Sequence, residues 1–346
     1  MLQINQFFQV HGNTKENFIF DLSNNAREIN FDRNNIIIEL FSFLIMDDIS
    51  QIRKLDLPEL CKTIEAKIRT TLKNLHRDGA VIGLSGGLDS AIAAKLTVRS
   101  LGANKVHLIN LPEKDSKKIH RIHAKQFAKH LGIQLNVKPI NSILRSTKTY
   151  RLLPLRFIPG RKLRTWVVEL GRKQFIPKNG ESVLIKRLKP KANSWLAKGN
   201  AYAIAKHRIR MVVLYQYAEV RNLLVVGAAN RTEWLTGTFS KWGVDHCADI
   251  MPIMHLYRTQ LEQIAEYIQI PDYIRKKAAD PDIMPTVDNK GEMLNSFKLT
   301  DQILYGMENN IDKSILCQEY GEKNVEQIYS LWKYSQHMRE SPYNIE

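Results

Sequence analysis

"AVIGLSGGLDSAIAAKL", Ala80 to Leu96, passes from an apolar block through Ser85-Gly86-Gly87-Leu88-Asp89-Ser90 into helical spacing. Ala80, Val81, Ile82 and Leu84 form the short apolar run of a central parallel strand, which is covered on both faces. Ile92 and Leu96 recur at helical spacing, and Gly102 supplies a stop. The six residues between are therefore a strand-to-helix turn. Gly86 and Gly87 are expected to take backbone angles that a side chain forbids, so that successive N–H groups point into one concavity at the positive end of the helix. Such a concavity is an anion cradle, with phosphate its commonest occupant. Asp89 among these donors suits a magnesium ligand beside phosphate oxygens. A lone Gly-Gly is ordinarily a tight turn with serine caps; six matching residues in a strand–turn–helix setting favour the cradle.

No Gly-Lys-Ser/Thr follows, so the loop is not a Walker A loop, and the G-x-G-x-x-G spacing of a dinucleotide fold is missing. It resembles the SGGxDS pyrophosphate loop of the N-type ATP pyrophosphatases. That resemblance implies cleavage of ATP between the α and β phosphates, with AMP activating an oxygen of the second substrate.

Around this loop, strands alternate with helices. A helix is predicted from Leu57 to Leu75, a strand over Lys105 to Leu111 followed by "PEKDS", and a helix through Ile119, Ile122, Phe127 and Leu131. Then come a strand in "IQLNVKPI", a helix over Ala201 to Ala218, a strand over Leu223 to Val226 and a helix over Thr259 to Ile268. The fold class is α/β, a doubly wound, mostly parallel sheet with flanking helices, in which ligands bind at the carboxyl ends of the strands. The expected domains are an appended region over 1–57, the pyrophosphatase domain over 58–310 and a helical tail over 311–346.

The chain has 346 residues, 44% of them hydrophobic, enough to bury a full core. Its longest apolar stretch, "IIIELFSFLIM" at Ile36 to Met46, carries Glu39 and falls short of the ~20 residues of a membrane helix. Gln3, Asn5 and Gln6 interrupt the apolar residues at the N-terminus, so no secretory leader is expected. Three scattered cysteines, Cys61, Cys247 and Cys317, suit a reducing cytoplasm and exclude a CxxC site.

The net charge is +16, and it is concentrated. From Arg145 to Lys198 there are fifteen Lys or Arg against two acids, so this segment alone carries +13. It reads as a basic insertion, either a solvated surface or a contact for a phosphate-rich ligand, nucleic acid or an acidic partner. Nucleic acid is not the favoured partner, since no aromatic stacking array accompanies the charge.

"LLVVGAANRTEWLTGTFSKWGVDHCADIMPIMHLYRTQLEQIAEYI", Leu223 to Ile268, repeats the logic of the first motif: a buried strand, Gly227 at its end, then Asn230, Thr232 and Glu233 where a ligand crevice belongs. With the SGGLDS loop it resembles the ammonia-dependent NAD synthetase family, whose stretch reads approximately GTxNxxE, GxFTKYGD, then DxxPIxxLYKTQ. The resemblance covers roughly residues 58–145 and 199–306. It implies amidation of nicotinic acid adenine dinucleotide: the acid's carboxylate attacks the ATP α-phosphate, pyrophosphate leaves, and ammonia displaces AMP. It also implies that Asp89 and Glu233 hold Mg2+, that Ser85, Gly86, Gly87, Leu88, Asp89 and Ser90, with Gly227, Asn230 and Thr232, bind the nucleotide, and that Lys241 stands near the reacting groups. Lys276 or Lys277, with Lys277 preferred, matches a mobile-loop lysine over the phosphates. A homodimer is implied as well. Residues 1–57 are too short for a glutaminase, so free ammonia or a separate amidotransferase partner is expected to supply the nitrogen.

The chain departs from the family pattern in four places. Ala228 replaces the threonine of GTxN. TKYGD becomes Ser240-Lys241-Trp242-Gly243-Val244, with Asp245 one position late. The mobile-loop pattern PSAxLxxxxxDE becomes "KKAADPDIMPTVDNKG", keeping Asp280 and Asp288 but with Asn289 for an acid. The basic insertion is the fourth. These changes bear on the acceptor and the ammonia step more than on the ATP chemistry, which leaves two further functions open: amidation of another acceptor, such as a surface-sugar precursor, and RNA modification.

Overall fold

The computed structural model describes residues 55–153, 183–189, 191–244, 246–276 and 296–340. The appended region therefore lies outside the described residues except for its last three, as do most of the basic insertion, Asp245, Lys277, Asp280, Asp288 and Asn289.

Helix α1, Leu57–Asn74, begins where the Asp56 carboxylate accepts the Glu59 N–H at 3.0 Å, with Pro58 in the first turn. It buries Cys61, Ile64 and Ile68, one face at three- and four-residue spacing. The chain then enters β1 (Gly79–Gly83), α2 (Leu88–Leu101), β2 (Val106–Asn110), α3 (Lys118–His130) and β3 (Leu135–Val137). After α4 (Asn141–Ser146) and α5 (Val183–Leu188), the long helix α6 (Trp195–Val220) leads to β4 (Leu223–Val226). The four strands are parallel, in the order β3-β2-β1-β4. The winding reverses at β1, so the crevice expected of a doubly wound sheet opens between the carboxyl ends of β1 and β4.

Strand alternation divides the core into two layers. Ala80 and Ile82 of β1, Val106 and Leu108 of β2, and Leu224 and Val226 of β4 pack with α1, α2 and α3. Val81, Ile109, Leu223 and Val225 face the other way, against Tyr202, Leu214, Tyr217 and Ala218 of α6. The apolar run at Ala80 reads as continuous because both of its faces are covered.

Helix α6 starts six residues before the expected Ala201. Ser194 caps it by accepting the Ala197 N–H at 3.1 Å, and the helix runs through Gly199. A cap at the right place outweighs the roughly 1 kcal/mol penalty of a helical glycine. The described parts of the basic insertion are not simply solvated. Thr149, Tyr150, Leu153, Leu184 and Ile185 are buried, and the Lys189 ammonium stands 3.1 Å from the Tyr334 ring centre.

Beyond β4 follow α7 (Arg231–Thr236), α8 (Arg258–Tyr267), α9 (Asp272–Arg275), α10 (Phe297–Glu308), α11 (Lys313–Tyr320), α12 (Glu322–Tyr334) and α13 (Gln336–Arg339). The last two grip α7. The buried Ser335 hydroxyl lies 3.2 Å from the Leu235 carbonyl, and Arg339 donates to the same carbonyl at 3.0 Å. Arg187 of α5 donates to the Gly237 carbonyl at 2.7 Å. Side chains thus take up carbonyls that a helix C-terminus leaves unpaired. No helix among the described residues is long and apolar enough to cross a membrane.

Candidate active site

The SGGLDS turn is knitted by its own hydroxyls. Ser85 and Ser90 Oγ lie 2.9 Å apart, Ser85 Oγ accepts the Gly87 N–H at 3.2 Å, and Ser90 Oγ donates to the Gly87 carbonyl at 3.1 Å. The serines brace the loop and do not cap the helix. Gly87 occupies the N-cap of α2 with no side-chain cap bond, which leaves first-turn N–H groups at the positive helix end for an anion. Of the two glycines only Gly86 needs its freedom: its φ is +82°, and a Cβ there would lie 2.2 Å from the His120 carbonyl oxygen. Gly87 is extended, with φ −98° and ψ 170°. The special backbone expected at both positions is confined to Gly86.

Asp89 projects from the first turn of α2 toward the end of β4. Asn230, the N-cap of α7, donates from Nδ2 to Asp89 Oδ2 at 3.4 Å. The same side chain accepts the Glu233 N–H through Oδ1 at 2.9 Å, and Glu233 Oε2 accepts the Asn230 N–H at 3.4 Å, a reciprocal capping box. Asn230 thus joins the two carboxylates expected to serve one metal. Gly227 lies just before this turn, with its N–H on the Ile250 carbonyl at 2.9 Å. A Cβ there would meet Ala248 and Met251 at 2.9 Å.

Thr232 is held beneath the surface. Its hydroxyl donates to Asp301 Oδ1 at 2.5 Å and accepts the Arg258 N–H at 2.9 Å. Asp301 Oδ2 accepts the Thr259 N–H at 2.8 Å, so one buried carboxylate fastens α7 and the start of α8 to α10. Burial raises the Asp301 carboxyl above its ordinary value even with these donors around it. Arg231 and Tyr257 share Glu308 at the other end of α10.

Lys241 is not drawn to Asp89. Its ammonium donates to the His337 carbonyl on α13 and lies 5.2 Å from the Trp242 ring centre. Val244, where the family pattern carries an acid, packs with the α6 layer of the core and gives its N–H to the His207 carbonyl at 3.2 Å. Lys276 ends α9 in an exposed ion pair with Asp272 at 2.6 Å.

Two groupings escaped the sequence reading. The first is Arg258, which brings a guanidinium within 3.9 Å of Asp89. The second lies in "PEKDS", the turn at the carboxyl end of β2. Lys206, wholly buried, reaches Glu113 at 2.9 Å and Asp115 at 3.3 Å. Tyr150 donates to Glu113 at 3.0 Å, and Tyr202 donates to Asp115. Burial and these neighbouring carboxylates push both tyrosine hydroxyls far above their ordinary value, which keeps them as donors. The position of Glu113 and Asp115 just after a strand was the available signal; their lysine partner, some ninety residues on, left none.

A glycine-bearing turn after one central strand and a carboxylate-bearing turn after its neighbour, on either side of the winding switch, define an α/β protein of the pyrophosphate-loop type. The NAD synthase family model matches residues 60–153 and 171–342. The NH3-dependent NAD synthetase of Thermotoga maritima is 37% identical over 273 residues, covering 79% of this chain and 94% of that protein. That of Coprothermobacter proteolyticus is 32% identical over 289 residues, covering 83% and 97%. In structure, the NH3-dependent NAD synthetase of Campylobacter jejuni aligns with a TM-score of 0.60 at 22% identity, over 85% of this chain and 100% of that one. The NMN synthetase of Francisella tularensis aligns at 0.61 and 23%, over 84% and 99%. This chain belongs to the NAD synthase family, a family of ATP-dependent carbon–nitrogen ligases.

Proposed function

We propose that this protein amidates nicotinic acid adenine dinucleotide with ammonia at the expense of ATP. The observation that carries the proposal is the bond from Asn230 to Asp89, which joins the cradle after β1 to Glu233 after β4. In this reading the first turn of α2 and the braced SGGLDS loop bind and orient the phosphates, and Gly227 lets Ala248 and Met251 pack closely against the end of β4, beside the nucleotide. The substrate carboxylate attacks the α-phosphorus, pyrophosphate leaves, and ammonia then displaces AMP from the acyl adenylate.

Asp89 and Glu233 would hold Mg2+. Among the described residues no group of three or more His, Cys, Asp or Glu gathers to hold a metal. Two carboxylates are too few to hold a magnesium ion by themselves and suit one that would arrive with its nucleotide. When bound, the ion neutralises charge on the departing pyrophosphate. Lys241 would approach the reacting groups after leaving the His337 carbonyl, and Lys277 would cover the phosphates.

A homodimer is the proposed assembly. It is carried over from the family resemblance. A cytoplasmic setting suits three free cysteines. Free ammonia, or a separate amidotransferase, is the proposed nitrogen source.

The test is pyrophosphate release from ATP with ammonia across a panel of acids, with mass spectrometry of the product. Turnover with the acid dinucleotide supports the proposal. Turnover only with another acid, or only with RNA, overturns it.

A further inference from the structure

Helix α3 follows β2 and precedes the parallel strand β3, so it runs back across the sheet from the crevice edge. Its sequence, "KIHRIHAKQFAKH", holds Lys118, Arg121, Lys125 and Lys129 and no acid. All four cations are exposed. Among the described residues none of them has an acid at ion-pair distance, whereas Lys62, Arg99, Lys276 and Lys313, on or beside other helices, each do. The charge also sits at the end of the helix where it costs stability. Lys117 is the N-cap residue, Lys118 opens the first turn, and no carboxylate there offsets the positive helix end. That end abuts the SGGLDS loop. A Cβ on Gly86 would lie 2.2 Å from the His120 carbonyl oxygen and 3.1 Å from the Ala124 nitrogen.

We infer that the basic face of α3 steers the phosphate-bearing nucleotide toward the SGGLDS loop, speeding its arrival without holding it once bound. The inference rests on the nucleotide binding at that loop. Unpaired cations beside a crevice make a field of one sign, which gathers anions and raises their association rate. The reach of this field is set by salt. The screening length is about 8 Å at physiological ionic strength, and a helix rises ~1.5 Å per residue, which puts Lys129 roughly 16 Å farther from the crevice edge than Lys118. Lys118 and Arg121 therefore dominate in physiological salt, and the far end of the helix contributes only in dilute buffer. The same cations work against the helix dipole, so steering and helix stability pull in opposite directions.

The test follows binding of a fluorescent nucleotide, N-methylanthraniloyl-ATP with Mg2+, to the full chain by stopped flow, without turnover. The double variant Lys118→Glu, Arg121→Glu should associate at least about tenfold more slowly than wild type at about 0.01 M ionic strength and less than about twofold more slowly at about 1 M. Its dissociation rate should stay that of wild type. At about 0.15 M, Lys118→Glu alone should slow association about twofold, while Lys129→Glu should leave it unchanged. Lys118→Glu should also melt about 1–3 °C higher, because a carboxylate now faces the positive helix end. Loss of packing would instead speed dissociation and lower the melting temperature. Should the double variant fail to fold by circular dichroism, Lys118→Gln with Arg121→Gln takes its place, with about threefold slower association expected at about 0.01 M. Unchanged association in dilute buffer, equal effects of Lys118→Glu and Lys129→Glu in physiological salt, or slowing that comes with faster dissociation and a lower melting temperature overturns steering while the nucleotide site stands. If wild type does not bind the nucleotide at all, the nucleotide site fails and steering with it.

Discussion

Asn230 reaches Asp89 across 141 residues of sequence, its Nδ2 lying 3.4 Å from Asp89 Oδ2. The contact crosses the crevice between β1 and β4 and makes one unit of two strand-end motifs. Asn230→Ala should cost about 1 kcal/mol of stability through the lost cap of α7. Pyrophosphate release should fall at least tenfold, roughly 1.4 kcal/mol in the barrier, since Glu233 and Asp89 lose their common support. Thermal melting and a pyrophosphate assay check both. A normal rate in a destabilised variant would reduce Asn230 to a helix cap.

Gly86→Ala places a methyl group 2.2 Å from the His120 carbonyl oxygen at a backbone φ of +82°. The SGGLDS loop must move to relieve it. ATP binding, measured by calorimetry, is expected to be lost. The same substitution at extended Gly87 is expected to be milder, since its Cβ would lie 3.3 Å from the movable Ser85 hydroxyl. Equal effects at both positions would contradict the assignment of the strained conformation to Gly86.

Lys206→Met leaves Glu113 and Asp115 buried without the Lys206 ammonium. The expected loss is about 3–5 kcal/mol in urea unfolding. Lys206→Met combined with Glu113→Gln and Asp115→Asn should recover part of it, because the uncompensated charges are removed together. A single variant as stable as wild type would mean that the cluster is wetter than its burial indicates.

Asp115 also fixes a pH dependence. Burial pushes its carboxyl up, but the Lys206 ammonium, the Tyr202 hydroxyl and Lys114 together outweigh burial, leaving it below its ordinary 3.8. A carboxylate with a depressed folded pKa stabilises fully above its unfolded value and loses that contribution as pH falls through the folded one. The stability gap between wild type and Asp115→Asn should therefore be constant near neutrality and narrow from about pH 5 downward. Unfolding midpoints of the pair measured from neutrality down to about pH 2 check the sign; a gap that widens in acid contradicts it.

Arg339→Met should release α7 at its carbonyl end. Arg339 donates to the Leu235 carbonyl at 3.0 Å and the Trp332 carbonyl at 2.8 Å, so its loss is expected to cost about 1–3 kcal/mol. Amide hydrogen exchange should rise in α7 and α12 and remain unchanged in β1. Unaltered exchange in α7 would show that Ser335 and Arg187 suffice to hold it.

The sequence by itself determined the parallel sheet and the strand–turn–helix at SGGLDS. SGGLDS and the apolar residues on either side of it are short-range features, and backbone geometry turns such spacing into a strand, a tight turn and a helix N-terminus. Leu223 to Val226 followed by Gly227 and Asn230 was legible for the same reason. Tertiary structure decided what those residues meet. Nothing local to Asp89 announces Asn230 or Arg258, and nothing local to Glu113 announces Lys206 or Tyr150. Nor does the Lys241 motif announce a tail carbonyl at His337. The early start of α6 at Trp195 depended on a cap at Ser194, six residues ahead of the expected Ala201. Periodicity reports which face of an element is covered. The partner on that face is set by the order in which strands wind about β1, and this order brings side chains 90 to 140 residues apart into hydrogen-bonding distance.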